Sequence, residues 1–232
     1  MKVFAYLLFA LYLLSSGTAV HASASPFAKC RGSAVYQVTF FNFLTPKIFC
    51  DLIPSDGLVF SPLTATGHSN RVSILTVRGL ASKQIEAIAE TGDNSGLIQV
   101  LKDLENTRHG VKSYAAAAGP TASGQDTTVT VKVDCENPFI SAVAMIAPSP
   151  DWMVLIANMN MFSSSRRDFV SYRAGFLIAY DAGTDDSRDF TPSDPSFDMP
   201  TVPQQNIAPL VEDETDRFNG RNVGKYFIKR IA

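Results

Sequence analysis

The segment TTVTVKVDCENPFISAVAMIAPSPDWMVLIA, residues 127–157, places three strand-like patterns in succession with only short turns between them. The first pattern alternates apolar and polar side chains, and a period of two predicts an antiparallel strand with one buried face. The apolar positions of this alternation are Val129, Val131 and Val133. Residues 139–147 are nearly all apolar, which is typical of a central strand, and residues 152–157 are a further strand candidate.

Strand-like patterns also occur on both sides of this segment. Residues 33–43 are rich in β-branched and aromatic side chains, and residues 175–180 and 223–231 are further strand candidates. Residues 46–70 and 191–210 contain closely spaced prolines and are predicted to be loops, because proline this dense does not fit central strands. The chain is therefore expected to form one mainly β domain, an antiparallel β-sandwich.

Two short helices are predicted in the N-terminal half of this sandwich. Ser82 can cap the first, which carries apolar residues at helical spacing and stops near Gly92. The second has apolar residues at the spacing of one helix face, namely Leu97, Val100, Leu101 and Leu104.

The first 22 residues have the pattern of a secretory signal peptide. A lysine precedes an apolar run that is too short to span a membrane, and small residues follow it. Cleavage is expected after Ala22 or Ala24, and the mature protein is expected to be secreted, with no transmembrane segment. The formal net charge of −2 gives no electrostatic case for binding nucleic acid or anionic membranes.

Three cysteines remain after this cleavage: Cys30, Cys50 and Cys135. In an oxidising compartment an odd number predicts one disulfide and one thiol that is free or bonded to another molecule, as in a disulfide-linked dimer. The sequence leaves open which two cysteines pair. No CxxC spacing is present, so the cysteines do not predict a zinc site.

Three aspartates lie at the ends of strand-like segments. Asp151 closes a Pro-Ser-Pro turn, and Asp181 and Asp185 flank a short loop in which Gly183 permits a sharp bend. Carboxylates brought together on loops repel one another and suit calcium, which binds oxygen ligands. The alternative is that each aspartate caps its own turn through the backbone, as aspartates in turns commonly do.

Several motifs resemble the spondin N-terminal domain family, whose members are F-spondin-like and mindin-like. They are AVYQVTF at 34–40, FSPLTATGHSN at 60–70, PSPDW at 148–152, YDAGTD at 180–185 and TVPQQNI at 201–207. They occur in the family's order, and the resemblance covers residues 30–232. It implies a C2-like β-sandwich with one divalent cation, usually calcium, held by Asp151, Asp181 and Asp185.

Two departures from the family pattern bear on the predicted metal site and on the disulfide. The family carries an acidic residue on the strand before PSPDW, and counting back without gaps places Lys132 there, a cation that could weaken metal binding. Asp134, on the same face of that strand, could replace the missing acid. The cysteines that usually follow PSPDW are absent, so the family's disulfide pattern does not carry over intact.

The function expected from this resemblance is that of a non-catalytic, calcium-binding protein of the extracellular matrix or of cell adhesion. Its partner would be an extracellular protein or glycan. One alternative is a structural matrix component that self-assembles through its odd cysteine. Another is a metal-assisted hydrolase, but neither HExxH nor GxSxG occurs, and His68 gives no catalytic set with its neighbours.

Overall fold

The structure is a computed structural model that describes residues 30–185, 187, 189–191, 204–212 and 216–232. The predicted signal peptide and most of the proline-rich segment 191–210 lie outside these residues. The helices are α1 (Pro46–Phe49), α2 (Lys83–Thr91) and α3 (Ser95–Asn106). The strands are β1 (Ser33–Asn42), β2 (Val59–Phe60), β3 (Thr64–His68), β4 (Val111–Ala116), β5 (Asp126–Asp134), β6 (Phe139–Ala147), β7 (Trp152–Asn160), β8 (Phe162–Ser163), β9 (Asp168–Phe169), β10 (Tyr172–Leu177), β11 (Tyr180–Asp181), β12 (Ala208–Pro209) and β13 (Gly224–Arg230).

The strands form two main antiparallel sheets, which confirms the predicted β-sandwich. One sheet has the order β10-β13-β1-β5. The other has the order β12-β11-β7-β6-β3-β4, and β2 adds to it beside β6. Strands β8 and β9 form a separate small pair. The inner faces of the two main sheets share one large buried apolar cluster.

The burial of each strand follows its position in the sandwich. The valines of β5 are buried and alternate with residues that are exposed or half-buried, as the sequence pattern predicts. Strand β6 is apolar on both faces because each face is covered. Ile140 packs into the cluster between the sheets, whereas Val143 packs with Ile85 and Ile88 of α2 in a second cluster.

Both predicted helices are present. The hydroxyl of Ser82 accepts a hydrogen bond from the amide of Ile85 at 3.3 Å and caps α2, which ends at Gly92 in the left-handed conformation. In α3, Leu97 and Leu101 are buried, whereas Val100 is 39% exposed and does not belong to the packed face. A third short helix, α1, forms in addition, within the segment predicted to be a loop.

The prediction of a continuous loop over residues 46–70 is also wrong. This segment contains β3, an internal strand of the larger sheet, and all five residues of β3 are buried. Within β3, Gly67 leaves room for the Lys132 carbonyl oxygen, which lies 2.0 Å from the position of a Cβ on residue 67. The strand predicted over 175–180 is divided, since the chain leaves the smaller sheet at Leu177 and enters the larger one at Tyr180.

A disulfide joins Cys30, just before β1, to Cys135, just after β5. One bridge was predicted, and the structure identifies its partners. Cys50 is exposed and is the free cysteine of the described chain. In the part of the chain that the structure describes, no helix has the length and apolar character needed to cross a membrane.

Candidate metal centre

Asp151 is fully buried at the point where the chain turns from β6 into β7. In this turn the hydroxyl of Ser149 donates to the carbonyl of Ile146 and accepts from the amide of Trp152, which fixes the path of the backbone around Asp151. The indole of Trp152 is also fully buried and packs edge-on against Phe218 at a centroid distance of 5.7 Å. The turn therefore holds the carboxylate inside the protein.

The loop after β11 wraps around one oxygen of this carboxylate. Oδ2 of Asp151 accepts hydrogen bonds from the Thr184 amide at 2.8 Å, the Asp185 amide at 3.2 Å and the Thr184 hydroxyl at 3.2 Å. The amide of Ala182 also donates to the Asp151 carbonyl oxygen at 3.2 Å. Strand β11 is held in register with β7, where Asp181 pairs with Trp152. The structure thus brings the PSPDW and DAGTD segments together.

The other oxygen of Asp151, Oδ1, is buried and has no hydrogen-bond partner among the described residues. Burial, with the negative charge of Asp181 as a second cause, raises the pKa of Asp151 to about 7, although the hydrogen bonds from Thr184 and Asp185 act to lower it. A buried carboxylate oxygen without a donor, next to a second carboxylate, is the kind of donor set that a hard divalent cation can complete.

Asp181 and Asp185 each accept a hydrogen bond from a backbone amide two residues ahead. Asp181 Oδ1 accepts from Gly183 at 2.7 Å, and Asp185 Oδ1 accepts from Ser187 at 2.7 Å. The turn-capping role considered from the sequence is therefore present at both positions. Both residues are half-buried.

Gly183 has a φ of 72°, and a Cβ at this position would lie 2.4 Å from the Gln205 carbonyl oxygen. The Gln205 amide in turn donates to the Gly183 carbonyl oxygen at 2.8 Å. This close approach of two backbone segments holds the loop in place, and only glycine combines the required conformation with the space.

Glu90 and Thr184 belong to the same region and were not predicted from the sequence. The pKa of Glu90, in the last turn of α2, is raised chiefly by burial; the Thr184 side chain lowers it, and the charges of Glu86 and Asp185 raise it. The region thus contains an acidic side chain from a helix in addition to the loop aspartates. Glu90 lies on a helix whose pattern is that of an ordinary surface helix, so no sequence signal marked it.

The structure does not bring Lys132 to the aspartates. Its backbone amide and carbonyl are bonded to the Ser113 hydroxyl at 2.6 and 3.1 Å, and its carbonyl packs on Gly67. Gly67 pairs with Ile140 near the beginning of β6, whereas Asp151 follows the end of that strand. Lys132 therefore lies toward the opposite end of the sandwich.

Asp134 does not replace a metal ligand at the cluster either. Its carboxylate forms an ion pair with Lys112 at 2.9 Å and accepts hydrogen bonds from Glu136 and Asn137 in the turn after β5. Within the described ranges, no three His, Cys, Asp or Glu side chains are grouped closely enough to hold a metal ion.

His68 is buried, and both of its ring nitrogens are hydrogen-bonded, Nδ1 with the Ser69 carbonyl at 2.8 Å and Nε2 with the Ser141 hydroxyl at 2.8 Å. Burial lowers its pKa more than the bond to Ser69 raises it. It is therefore a structural histidine with both ring nitrogens satisfied.

The arrangement around Asp151 joins the motifs that carry the family resemblance, and comparison with known proteins gives the same assignment. A family profile described as Spondin_N matches residues 34–220. The chain belongs to the spondin N-terminal domain family. In this spondin domain the matched range covers the sandwich from β1 to the segment before β13 and includes all three predicted aspartates.

Curated relatives of this spondin domain are themselves named spondins. Spondin-2 of Homo sapiens is 28% identical over 186 residues, which are 78% of this chain and 53% of that protein. Spondin-2 of Rattus norvegicus is 26% identical over 205 residues, 87% of this chain and 60% of that protein. Spondin-1 of Gallus gallus is 26% identical over 182 residues, 77% of this chain and 22% of that protein. The chain thus matches a little over half of Spondin-2 and under a quarter of Spondin-1.

Proposed function

We propose that this protein is a secreted, calcium-binding protein of the extracellular matrix or cell-adhesion type, without catalytic activity. Asp151, Asp181 and Asp185 are proposed to hold one calcium ion, which would draw these carboxylates closer together than they lie in the described structure. The observation that carries this proposal is the buried Oδ1 of Asp151, which lacks a hydrogen-bond donor in the described structure and lies in the field of Asp181.

The physical argument concerns the charge of Asp151. An ionised carboxylate that has lost its water must gain compensating contacts, and hydrogen bonds reach only one of its two oxygens. A second carboxylate nearby makes ionisation still less favourable. When bound, a divalent cation supplies positive charge and accepts oxygen lone pairs, so it would complete the missing contacts.

Calcium would stabilise the loop that carries DAGTD as well as the carboxylates. This loop is already fastened to Asp151 through Thr184 and to residue 205 through Gly183. A cation shared by Asp151 and Asp181 would further restrict the two loops at this end of the sandwich. We propose that these ordered loops support a surface for an extracellular protein or glycan ligand.

A binding role is favoured over catalysis because the hydroxyl group of Thr184 and the imidazole of His68, which could otherwise act on a substrate, already have structural partners. Thr184 and the loop amides are bonded to Asp151, and the nitrogens of His68 are bonded to Ser69 and Ser141. A hydrolase would need a base or nucleophile oriented toward open space.

The proposal is tested by calorimetric titration of calcium into the mature protein after removal of metal with EDTA, beside an Asp181→Asn variant. We expect one site in the wild type and a loss of at least tenfold in affinity in the variant. Asp126→Asn, an exposed change on β5, is the matched control and should bind as the wild type does. Absence of binding heat together with an unchanged melting temperature in calcium would refute the calcium site.

A second candidate is a structural component that assembles covalently, and the exposed thiol of Cys50 favours it. Electrophoresis of the secreted protein with and without reductant tests it directly. A reducible dimer that disappears in Cys50→Ser would support this candidate. A monomer under both conditions would reject covalent assembly while leaving the calcium proposal unaffected.

A further inference from the structure

The two edges of the smaller sheet differ. At the β5 edge, the Ser113 hydroxyl of β4 is bonded to the amide and carbonyl of Lys132, so the neighbouring sheet covers this edge. At the other edge lies β10, which pairs only with β13 within the described structure. An uncovered edge strand presents unpaired backbone groups that can bind a further strand.

The hydrogen bonds of β10 define which of its residues face outward. The amide of Arg230 donates to the Ser171 carbonyl at 2.9 Å, in the register in which Tyr172 is opposite Lys229. In an antiparallel ladder, alternate residues direct both backbone groups to the same side. The backbone groups of Tyr172, Ala174 and Phe176 therefore point away from β13, toward the open edge.

The side chains of these three residues share the outer face of the sheet. Tyr172 is 50% exposed and Phe176 is 65% exposed, and both are among the most exposed large apolar side chains in the described chain. Tyr172 stacks on Phe227 of β13 with ring centroids 6.3 Å apart, which fixes the direction of this face. Ala174, also exposed, separates the two aromatic residues.

We propose that a second copy of this chain binds at β10, by antiparallel pairing of β10 with β10 of the partner around a two-fold axis at Ala174. In this register, Tyr172 is opposite the partner's Phe176, and Phe176 is opposite the partner's Tyr172. Each of the three facing pairs can form two main-chain hydrogen bonds, because their backbone groups point into the interface. The two smaller sheets become one continuous sheet.

The pattern of β10 is what selects a second copy as the partner. An isologous contact requires a surface that is complementary to itself, and Tyr-Arg-Ala-Gly-Phe places one aromatic residue at the same distance on each side of Ala174. The symmetric register therefore forms two equivalent aromatic cross-strand pairs. On the opposite face it places Arg173 against the partner's Gly175, so the two arginines are not paired with each other.

On the inner face of the sheet, the side chain of Tyr226 covers Gly175. A Cβ at this position would lie 2.6 Å from the Tyr226 hydroxyl oxygen, so a substitution there would require the tyrosine to move. For this reason the tests avoid Gly175 and use residues whose backbone or side chain faces outward.

Sedimentation analysis of the mature protein over a range of concentrations tests the proposal, in a Cys50→Ser background that excludes covalent dimers through this cysteine and keeps the Cys30–Cys135 disulfide. We expect the apparent mass to rise to twice that of the protomer as concentration increases. Ala174→Pro removes an outward amide without breaking a bond to β13 and should remain monomeric. Phe176→Lys should also be monomeric, and it provides an independent readout if the proline variant does not fold.

Thr130→Lys is the matched control, because it adds the same charge to the outer face of the smaller sheet on the covered edge strand, β5. This variant should dimerise as the wild type does. In a Cys50→Ser background, Ala174→Cys should form a disulfide between copies on oxidation, whereas Thr130→Cys should not.

A wild-type protein that stays monomeric throughout would overturn the proposal, as would a dimer that survives both β10 variants. Monomeric protein that instead binds an extended peptide at β10 would also overturn it, because the edge would then serve a different partner. These outcomes do not depend on calcium binding, so they remain separate from the test of the metal centre.

Discussion

The carboxylate of Asp151 accepts a hydrogen bond from the amide of Thr184, 33 residues further along the chain, at 2.8 Å. This contact connects the turn before β7 to the loop after β11. It satisfies one carboxylate oxygen and leaves the other without a donor among the described residues. Asp151 therefore supports the loop directly and also provides the lone pairs for which a cation is proposed.

Asp151→Asn should remove a pH dependence of stability in the metal-free protein. The folded pKa of Asp151 is raised from 3.8 to about 7, so its contribution to stability is complete below about pH 4 and is lost as pH rises toward 7. Because asparagine does not ionise, the variant should be more stable than wild type at pH 8, by about 2 kcal/mol. Urea unfolding in EDTA at pH 5 and pH 8 measures this difference. Equal stability of the wild type and the variant at pH 8 would show that ionisation of the buried Asp151 carboxylate does not destabilise the protein.

Calcium affinity should fall when the pH is lowered from 8 to 6. A proton and a cation compete for the Asp151 carboxylate, and its raised pKa places this competition near neutrality. Binding near pH 7 should also release protons. Calorimetry in two buffers of different ionisation enthalpy measures that release. Heats that are identical after correction for dilution would argue against Asp151 as a ligand.

Gly183→Ala should destabilise the protein by at least about 2 kcal/mol, because the new Cβ meets the Gln205 carbonyl and the positive φ disfavours alanine. The matched control is Gly119→Ala, since a Cβ there meets no atom within 4 Å. Urea unfolding of both variants gives the difference. A loss of stability at Gly119 equal to that at Gly183 would show that the close approach is not the cause.

Loss of the Cys30–Cys135 disulfide should lower the free energy of unfolding by about 2–4 kcal/mol, because the bridge restricts a long loop in the unfolded chain. The paired Cys30→Ser, Cys135→Ser variant tests this by denaturant unfolding. Cys50→Ser, at the free exposed cysteine, should unfold as the wild type does. If Cys50→Ser destabilised the protein as much as the paired variant does, the effect would come from replacing a cysteine and not from losing the disulfide.

The sequence predicted those strands whose side chains show a clear pattern of burial. Strand β5 alternates because only one of its faces is buried, and β6 is continuously apolar because both of its faces are covered. Strand β3 was missed since it buries small polar residues, and their satisfaction depends on partners that are distant in sequence. Thr66, for example, donates to the Ser113 carbonyl at 2.9 Å, and Thr64 accepts from Asn94 at 2.9 Å.

The candidate site was predicted in part. The motifs indicated Asp151, Asp181 and Asp185, and the structure joins their loops through Thr184. The place of Glu90 was not predictable because it depends on how α2 packs against the larger sheet. Counting residues without gaps placed Lys132 at the family's acidic position, close to the metal site. In the structure Lys132 lies away from Asp151, because the turns around β6 determine which strand end approaches that aspartate.

The central place of β1 in its sheet has a consequence for the order of folding. Its two neighbours are β5 and β13, and β13 comes from the far end of the described sequence. During synthesis one backbone edge of β1 therefore remains unpaired until residues 224–230 have been translated. Such distant pairing also slows folding, because a long loop must close before the contacts form. This half of the sandwich is thus expected to be completed only after β13 has been translated, and aggregation-prone surface remains exposed until then.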